Sequence, residues 1–153
     1  MLELIERIHN IDSAEIHDNL LLPFELRMRG RLRATTETSL DVGLFLDRGP
    51  VLRDGDLLQA RTGEIIRIRA ADEPVVTARV AAGLPLARLC YHLGNRHVSL
   101  AIGEDKQGGW IRFPPDHVLE ELAEHLGATL VHHNAKFDPE PGAYSQAAHS
   151  HEH

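Results

Sequence analysis

The 153-residue sequence predicts an α+β protein: a β-rich N-terminal domain, then a ferredoxin-like βαββαβ domain, then a flexible His-bearing tail. Two observations carry this reading. Over the first seventy or so residues, short apolar stretches such as 39–46 and 64–70 are separated by turn signals at Arg48-Gly49-Pro50 and Asp54-Gly55, with no convincing long helix. Around Ala71-Asp72-Glu73-Pro74 the pattern changes, and the chain from there to residue 137 can be laid out as strand, helix, strand, strand, helix, strand. The boundaries are therefore drawn at 1–72, 73–137 and 138–153.

Within the first domain, Leu26-Arg27-Met28-Arg29-Gly30-Arg31-Leu32-Arg33 has a period of two. Read as a strand, it places Arg27, Arg29, Arg31 and Arg33 on one face and Leu26, Met28 and Leu32 on the other. Such a basic stripe is either the solvated face of an antiparallel sheet or a docking surface for an acidic partner. Gly30 is a candidate break at its centre.

In the second domain, 74–80 is a β-branched run. Gly83-Leu84-Pro85 then opens a helix whose apolar residues Leu86, Leu89, Cys90 and Leu93 fall at i, i+3, i+4 and i+7. Gly94 stands where a left-handed cap belongs. Strands at 98–102 and 110–113 flank a Gly-rich turn. Pro114-Pro115-Asp116 introduces a second helix, with Val118, Leu119, Leu122 and Leu126 expected to face inward before Gly127 ends it, and 128–132 forms the last strand. From Asp138 onward, Pro139, Pro141, Gly142 and small or polar residues leave little to bury, so this stretch is expected to be a flexible tail.

Composition narrows the function. A formal net charge of -7 disfavours general phosphate-backbone binding, and no apolar run is long enough to span a bilayer. Aromatics make up 5% of the chain, and Val98-Ser99-Leu100-Ala101-Ile102 offers no platform for stacking bases. The first residues lack the basic leader and small-residue cleavage site of a signal peptide, and one cysteine excludes an internal disulfide framework, so a cytosolic protein is expected.

The 11 histidines are the chemical signal. There is 1 Cys and no His-Glu-x-x-His pair, so metal binding would rest on imidazole, which suits nickel, copper and zinc. His97 follows the first helix and opens the next strand. It is either a hydrogen-bonded structural residue or a metal ligand. One histidine holds a divalent ion weakly, but a two-fold axis near this turn would bring two copies together in an open, labile site. His149, His151 and His153 alternate along the tail, beside Glu152 and the C-terminal carboxylate. His92 is read as a second ligand, a partner that orients a ligand or, most simply, an exposed side chain. His117 shares a helix face with Glu121, and Glu121 with His125, which permits a surface site. His132 and His133 should point to opposite sides of their strand, and Cys90 is most simply a core residue.

Three segments together resemble the UreE family of urease accessory proteins, which are nickel metallochaperones. They are Gly43-Leu44-Phe45-Leu46-Asp47-Arg48-Gly49 with Leu52-Arg53-Asp54-Gly55-Asp56, then Tyr91-His92-Leu93-Gly94-Asn95-Arg96-His97, then Phe137-Asp138-Pro139-Glu140-Pro141-Gly142-Ala143-Tyr144 before the His-bearing tail. The resemblance implies a homodimer joined through the ferredoxin-like domains. His97 of both subunits would hold one Ni(II) as cargo, the C-terminal histidines would add ligands, and the β-rich domain, with its Arg27, Arg29, Arg31 and Arg33 stripe, would serve partner docking. The implied recipients are the urease accessory GTPase and the urease apoprotein complex. Some relatives carry a His-x-His pair where this chain has Pro115-Asp116-His117, which puts an auxiliary site at His117 in doubt. Zn(II) or Cu(II) should also bind in vitro. The imidazoles must be neutral to ligate, so binding is expected to weaken as the pH falls through the usual imidazole range, about 6.5. The competing readings are a metal-independent peptide-binding co-chaperone and a small metal-dependent hydrolase. The hydrolase lacks three rigid ligands with a nearby base.

Overall fold

The computed structural model describes residues 1–9 and 15–142, and the chain divides into two compact units, Met1–Ala71 and Asp72–His153. The architecture is α+β, β-rich first and ferredoxin-like second. The tail histidines lie outside the described residues.

The first unit holds β1 (Leu2–Ile8), β2 (Ile16–Leu22), α1 (Phe24–Arg27), β3 (Arg31–Thr35), β4 (Asp41–Phe45), β5 (Leu57–Ala60) and β6 (Ile65–Ala70). The six strands form one mixed sheet in the order β2-β6-β5-β1-β4-β3, with β1/β4 and β2/β6 parallel. Period-two alternation builds it. In β6, Ile66, Ile68 and Ala70 are buried while Arg67 and Arg69 turn outward to Asn19 and Asp54. Ile66 and Ile68 join Leu4, Leu20, Leu44, Leu52 and Leu58 in one core, where each fully buried Leu or Ile contributes about 1.5–3 kcal/mol.

The strand expected over 26–33 forms only from Arg31 onward. Pro23 has no N–H to give to a strand and its carbonyl starts a single helical turn, accepting from Leu26 N and Arg27 N at 3.1 Å each. Arg27 is consequently buried, at 1% exposure, with Nε donating to Leu22 O at 3.1 Å and Nη1 to Leu52 O at 3.0 Å. Gly30 lies before β3, its carbonyl accepting from Leu46 N. Only Arg31 and Arg33 share an exposed strand face. Arg31 stacks over Phe45 and Arg33 pairs with Asp41 at 3.1 Å.

Asp18, 5% exposed on β2, pins the turn between β3 and β4, accepting from the hydroxyls of Thr36 and Thr38 at 2.5 Å each and from Asn19 N at 2.8 Å. Burial alone would raise its carboxyl pKa, but these hydrogen bonds outweigh burial and hold it below the ordinary aspartate value. A lowered native pKa gives stability that is complete above about pH 3.9 and is lost as the pH falls through the native value. Asp18→Asn is expected to cost roughly 1–3 kcal/mol at neutral pH and to flatten the acid limb of the unfolding curve. Urea titrations between pH 2 and 7 check this, and an unchanged acid slope would contradict it.

The second unit holds β7 (Asp72–Arg79), α2 (Leu84–Gly94), β8 (Ala101–Asp105), β9 (Gly108–Phe113), α3 (His117–His125) and β10 (Thr129–Lys136). Its antiparallel sheet runs β10-β7-β9-β8, the ferredoxin-like order. Leu89 and Leu93 of α2 and Leu119 and Ala123 of α3 pack with Val76, Ala78, Ile111 and Phe113. Val118 is not inward as expected, being 52% exposed, because it falls outside the arc that Leu119, Leu122, Ala123 and Leu126 define. Gly127, at φ 92°, closes α3, with Gly127 N bonded to Glu124 O and Ala128 N to Ala123 O. Among the described residues no helix is long and apolar enough to cross a membrane.

Candidate metal centre

Pro85 sits in the first turn of α2, where its missing N–H costs nothing, and the helix runs to Gly94. Beyond it the chain tightens: Asn95 N donates to Tyr91 O at 2.9 Å, Arg96 N to Leu93 O at 3.2 Å and His97 N to Gly94 O at 3.0 Å. The left-handed residue is not Gly94 but His97, at φ 58°. A β-carbon in that region costs about 1–2 kcal/mol, a position where glycine is the default. The chain places imidazole there instead.

His97 is exposed, and among the described residues no side chain bonds its ring. Leu93 behind it and Leu100 ahead of it are buried, so the turn is fixed at both ends and the ring stands out from a defined backbone. The next strand begins at Ala101, not Val98, because residues 98–100 are used to descend from this turn onto the sheet. His92 is exposed on the last turn of α2, its ring edge-on to Tyr91 at 5.1 Å. Tyr91 is 65% exposed.

The remaining candidates are dispersed. His117 Nε2 lies 3.4 Å from Glu121 Oε1, with both side chains open to solvent. The preceding Asp116 is committed to capping α3: its carboxylate accepts from Leu119 N and its own N–H donates to Glu120 Oε2, each at 3.0 Å. Asp116→Ala should therefore cost about 1 kcal/mol of stability, read by thermal melts. His132 and His133 take opposite faces of β10, His132 Nε2 at 2.6 Å from Glu120 Oε1 and His133 Nε2 at 2.7 Å from Thr77 Oγ1. Cys90 is half-buried, and burial pushes its thiol pKa up, away from the thiolate that soft metals need. Among the described residues no three His, Cys, Asp or Glu side chains converge to hold an ion. His149, His151 and His153 lie outside the described residues.

The expectation that the chain from Asp138 onward has little to bury does not hold where that stretch begins. Phe137 is fully buried and Pro139 is buried, and Glu140 N donates to Leu100 O at 2.8 Å. The C-terminal segment is thus tied three residues from His97. Nothing in local periodicity signals this bond, since it joins residues 40 apart.

Two family models of the UreE urease accessory protein cover almost the whole chain, the N-terminal domain matching residues 1–71 and the C-terminal domain residues 73–153. The chain belongs to the UreE family. It is 77% identical over 159 residues to the urease accessory protein UreE of Marinobacter nauticus, covering 100% of this chain and 88% of that protein. The UreE of Pseudoalteromonas translucida is 66% identical over 154 residues, covering 100% of this chain and 91% of that protein. For the UreE of Alkalilimnicola ehrlichii the figures are 49% over 144 residues, 94% and 85%. These matches place the protein among the urease accessory proteins.

Proposed function

We propose that the protein is a cytosolic nickel metallochaperone that carries Ni(II) and does not itself catalyse a reaction. The observation that carries the reading is His97: an exposed imidazole, bonded by no side chain among the described residues and held at a backbone conformation that glycine would occupy at less cost. With no group of three His, Cys, Asp or Glu side chains among the described residues able to hold an ion, His97 would form a site when completed by a second copy.

In this reading the ferredoxin-like units form a homodimer in which two His97 rings face one another across the two-fold axis and share one ion. Exposed Leu84 and Tyr91 on α2, at 59% and 65%, suit an interface beside that turn. His149, His151 and His153 complete the coordination, while His92 and His117 remain auxiliary. Two rigid ligands and several exchangeable ones favour transfer, because a recipient can displace the ligands one at a time. The recipients are the urease accessory GTPase and the urease apoprotein complex. The β-rich unit docks the partner through exposed Arg29, Arg31 and Arg33; Arg27 is excluded by its burial.

Calorimetric titration of Ni(II), with light scattering for mass, tests this. The expected result is a dimer whose tightest step is half an equivalent per subunit. A monomer that binds nickel only loosely would overturn it.

A further inference from the structure

Of the strands that border the two sheets, β2, β3 and β8 are blunted against further pairing. β2 is broken by a register shift between Ile16 and Asp18, and its Asn19 O accepts from Glu37 N. β3 is five residues long and carries Arg31 and Arg33. β8 is also five residues long, ends in Glu104 and Asp105, and follows Leu100, whose carbonyl accepts from Glu140 N. Short length, bulges and charge are the ordinary protections of a sheet edge. The remaining border strand, β10, has little of any of them. Its eight residues pair with β7 without interruption from Thr129↔Arg79 to Lys136↔Asp72, and its one residue of fixed charge, Lys136, stands at its end. Among the described residues, the backbone of 129–135 makes no hydrogen bond beyond the β7 ladder. Alternate residues therefore hold N–H and C=O groups outward along about 26 Å of edge.

The side chains along that edge define what fits it. Leu130 pairs with Ala78 and His132 with Val76, so these residues share the face that the helices cover, while Val131 and His133 take the open one. Above the helix-side face stands the flank of α3 that carries Glu120, whose Oε1 lies 2.6 Å from His132 Nε2. Glu124 follows one turn on, exposed and with no side-chain bond among the described residues. On the open face Val131 is 52% exposed. We infer that the outer edge of β10 accepts an added strand from another protein, an extended segment with basic residues toward α3 and apolar residues over Val131. A second copy of this chain is a poor occupant. Antiparallel pairing of two β10 strands about a two-fold axis keeps both α3 helices on one face and turns Glu120 and Glu124 of each copy toward those of the other, and like charges so placed oppose association. The surface does not depend on the metal site, and it lies on a different unit from Arg29, Arg31 and Arg33.

Hydrogen exchange read amide by amide on the full-length, metal-free protein tests this, with a synthetic peptide of alternating lysine and valine as the probe. Two N-methylated versions, one blocked at the lysine amides and the other at the valine amides, separate strand addition from simple attraction of a polycation to an acidic protein. The unmodified peptide is expected to slow alternate amides of β10 by about tenfold or more. One methylated version should fail to do so while the other still does, because only alternate amides of an added strand face the edge. Glu124→Lys, which alters no side-chain hydrogen bond among the described residues, should weaken the peptide about three- to tenfold, with one exposed attraction lost and one repulsion gained. Protection confined to other strands, equal behaviour of the two methylated peptides, or no protection of β10 overturns the inference. So does protection of the same amides before the peptide is added: if it disappears on dilution the edge belongs to a second copy, and if it persists the chain itself covers it.

Discussion

In the proposed shared site, replacing His97 by alanine is expected to remove the tightest half-equivalent of Ni(II) per subunit while the protein stays folded. A shared site loses two ligands from one substitution, and even changes to residues that merely support a ligand typically cost 10–100-fold in metal affinity, so a loss of at least about 100-fold is expected. His97→Gly separates ligation from structure. The backbone there stands at φ 58°, which alanine tolerates no better than histidine but glycine adopts freely. The glycine variant should therefore lose nickel as completely as the alanine variant and yet be more stable, by about 1 kcal/mol. Thermal melts without metal, paired with calorimetric titrations, check both. A structural histidine would behave in the opposite way, with both variants less stable and nickel binding moved elsewhere. Residues that violate a local preference at no gain in packing are where function is to be sought, and His97 is such a residue.

The ferredoxin-like order is legible in the sequence because its signals are local. The β-branched run before Gly83, the i, i+3, i+4, i+7 stripe of α2 and the Gly127 stop each act over a few residues. His97 is legible as a candidate for the same reason, standing just after a helix end. The misplaced features are informative. Gly94 resembles a left-handed cap because glycine usually fills that role, but the turn runs three residues further and the strained position falls on histidine. The segment 26–33 alternates and still begins as a helical turn, because Pro23 starts it and Arg27 is drawn inward by two backbone carbonyls, Leu22 O five residues before it and Leu52 O far along the chain. The bonds of Glu140 N to Leu100 O and of Arg112 to Lys136 O are invisible to local pattern for a similar reason: their acceptors are positioned only once the sheet exists. Local pattern predicts elements, and long-range hydrogen bonds to backbone decide the exceptions.

Arg27 supplies the largest expected effect on stability. Its main chain and side chain form a reciprocal clasp with Leu52: Leu52 N donates to Arg27 O at 3.1 Å, and Arg27 Nη1 donates to Leu52 O. Leu52 is itself fully buried, so the clasp seats the chain that returns from the Asp47–Pro50 turn in the core, while Nε holds Leu22 at the end of β2. The guanidinium also lies 5.6 Å from the Phe24 ring centre. Arg27→Ala removes both donors and leaves a cavity, so about 3–5 kcal/mol should be lost, a large fraction of the 5–15 kcal/mol typical of a domain. Arg27→Met keeps most of the volume and avoids burying a charge, so its cost should be clearly smaller. The single tryptophan, Trp110, lies in the second unit and offers a direct readout. Far-ultraviolet circular dichroism follows both units, and tryptophan fluorescence follows the second. In urea, Arg27→Ala should bring forward part of the circular dichroism transition while leaving the fluorescence midpoint in place. A change of under about 1 kcal/mol, the scale of one ordinary hydrogen bond, would mean that the clasp is dispensable and would restore Arg27 to the docking surface from which its burial removes it.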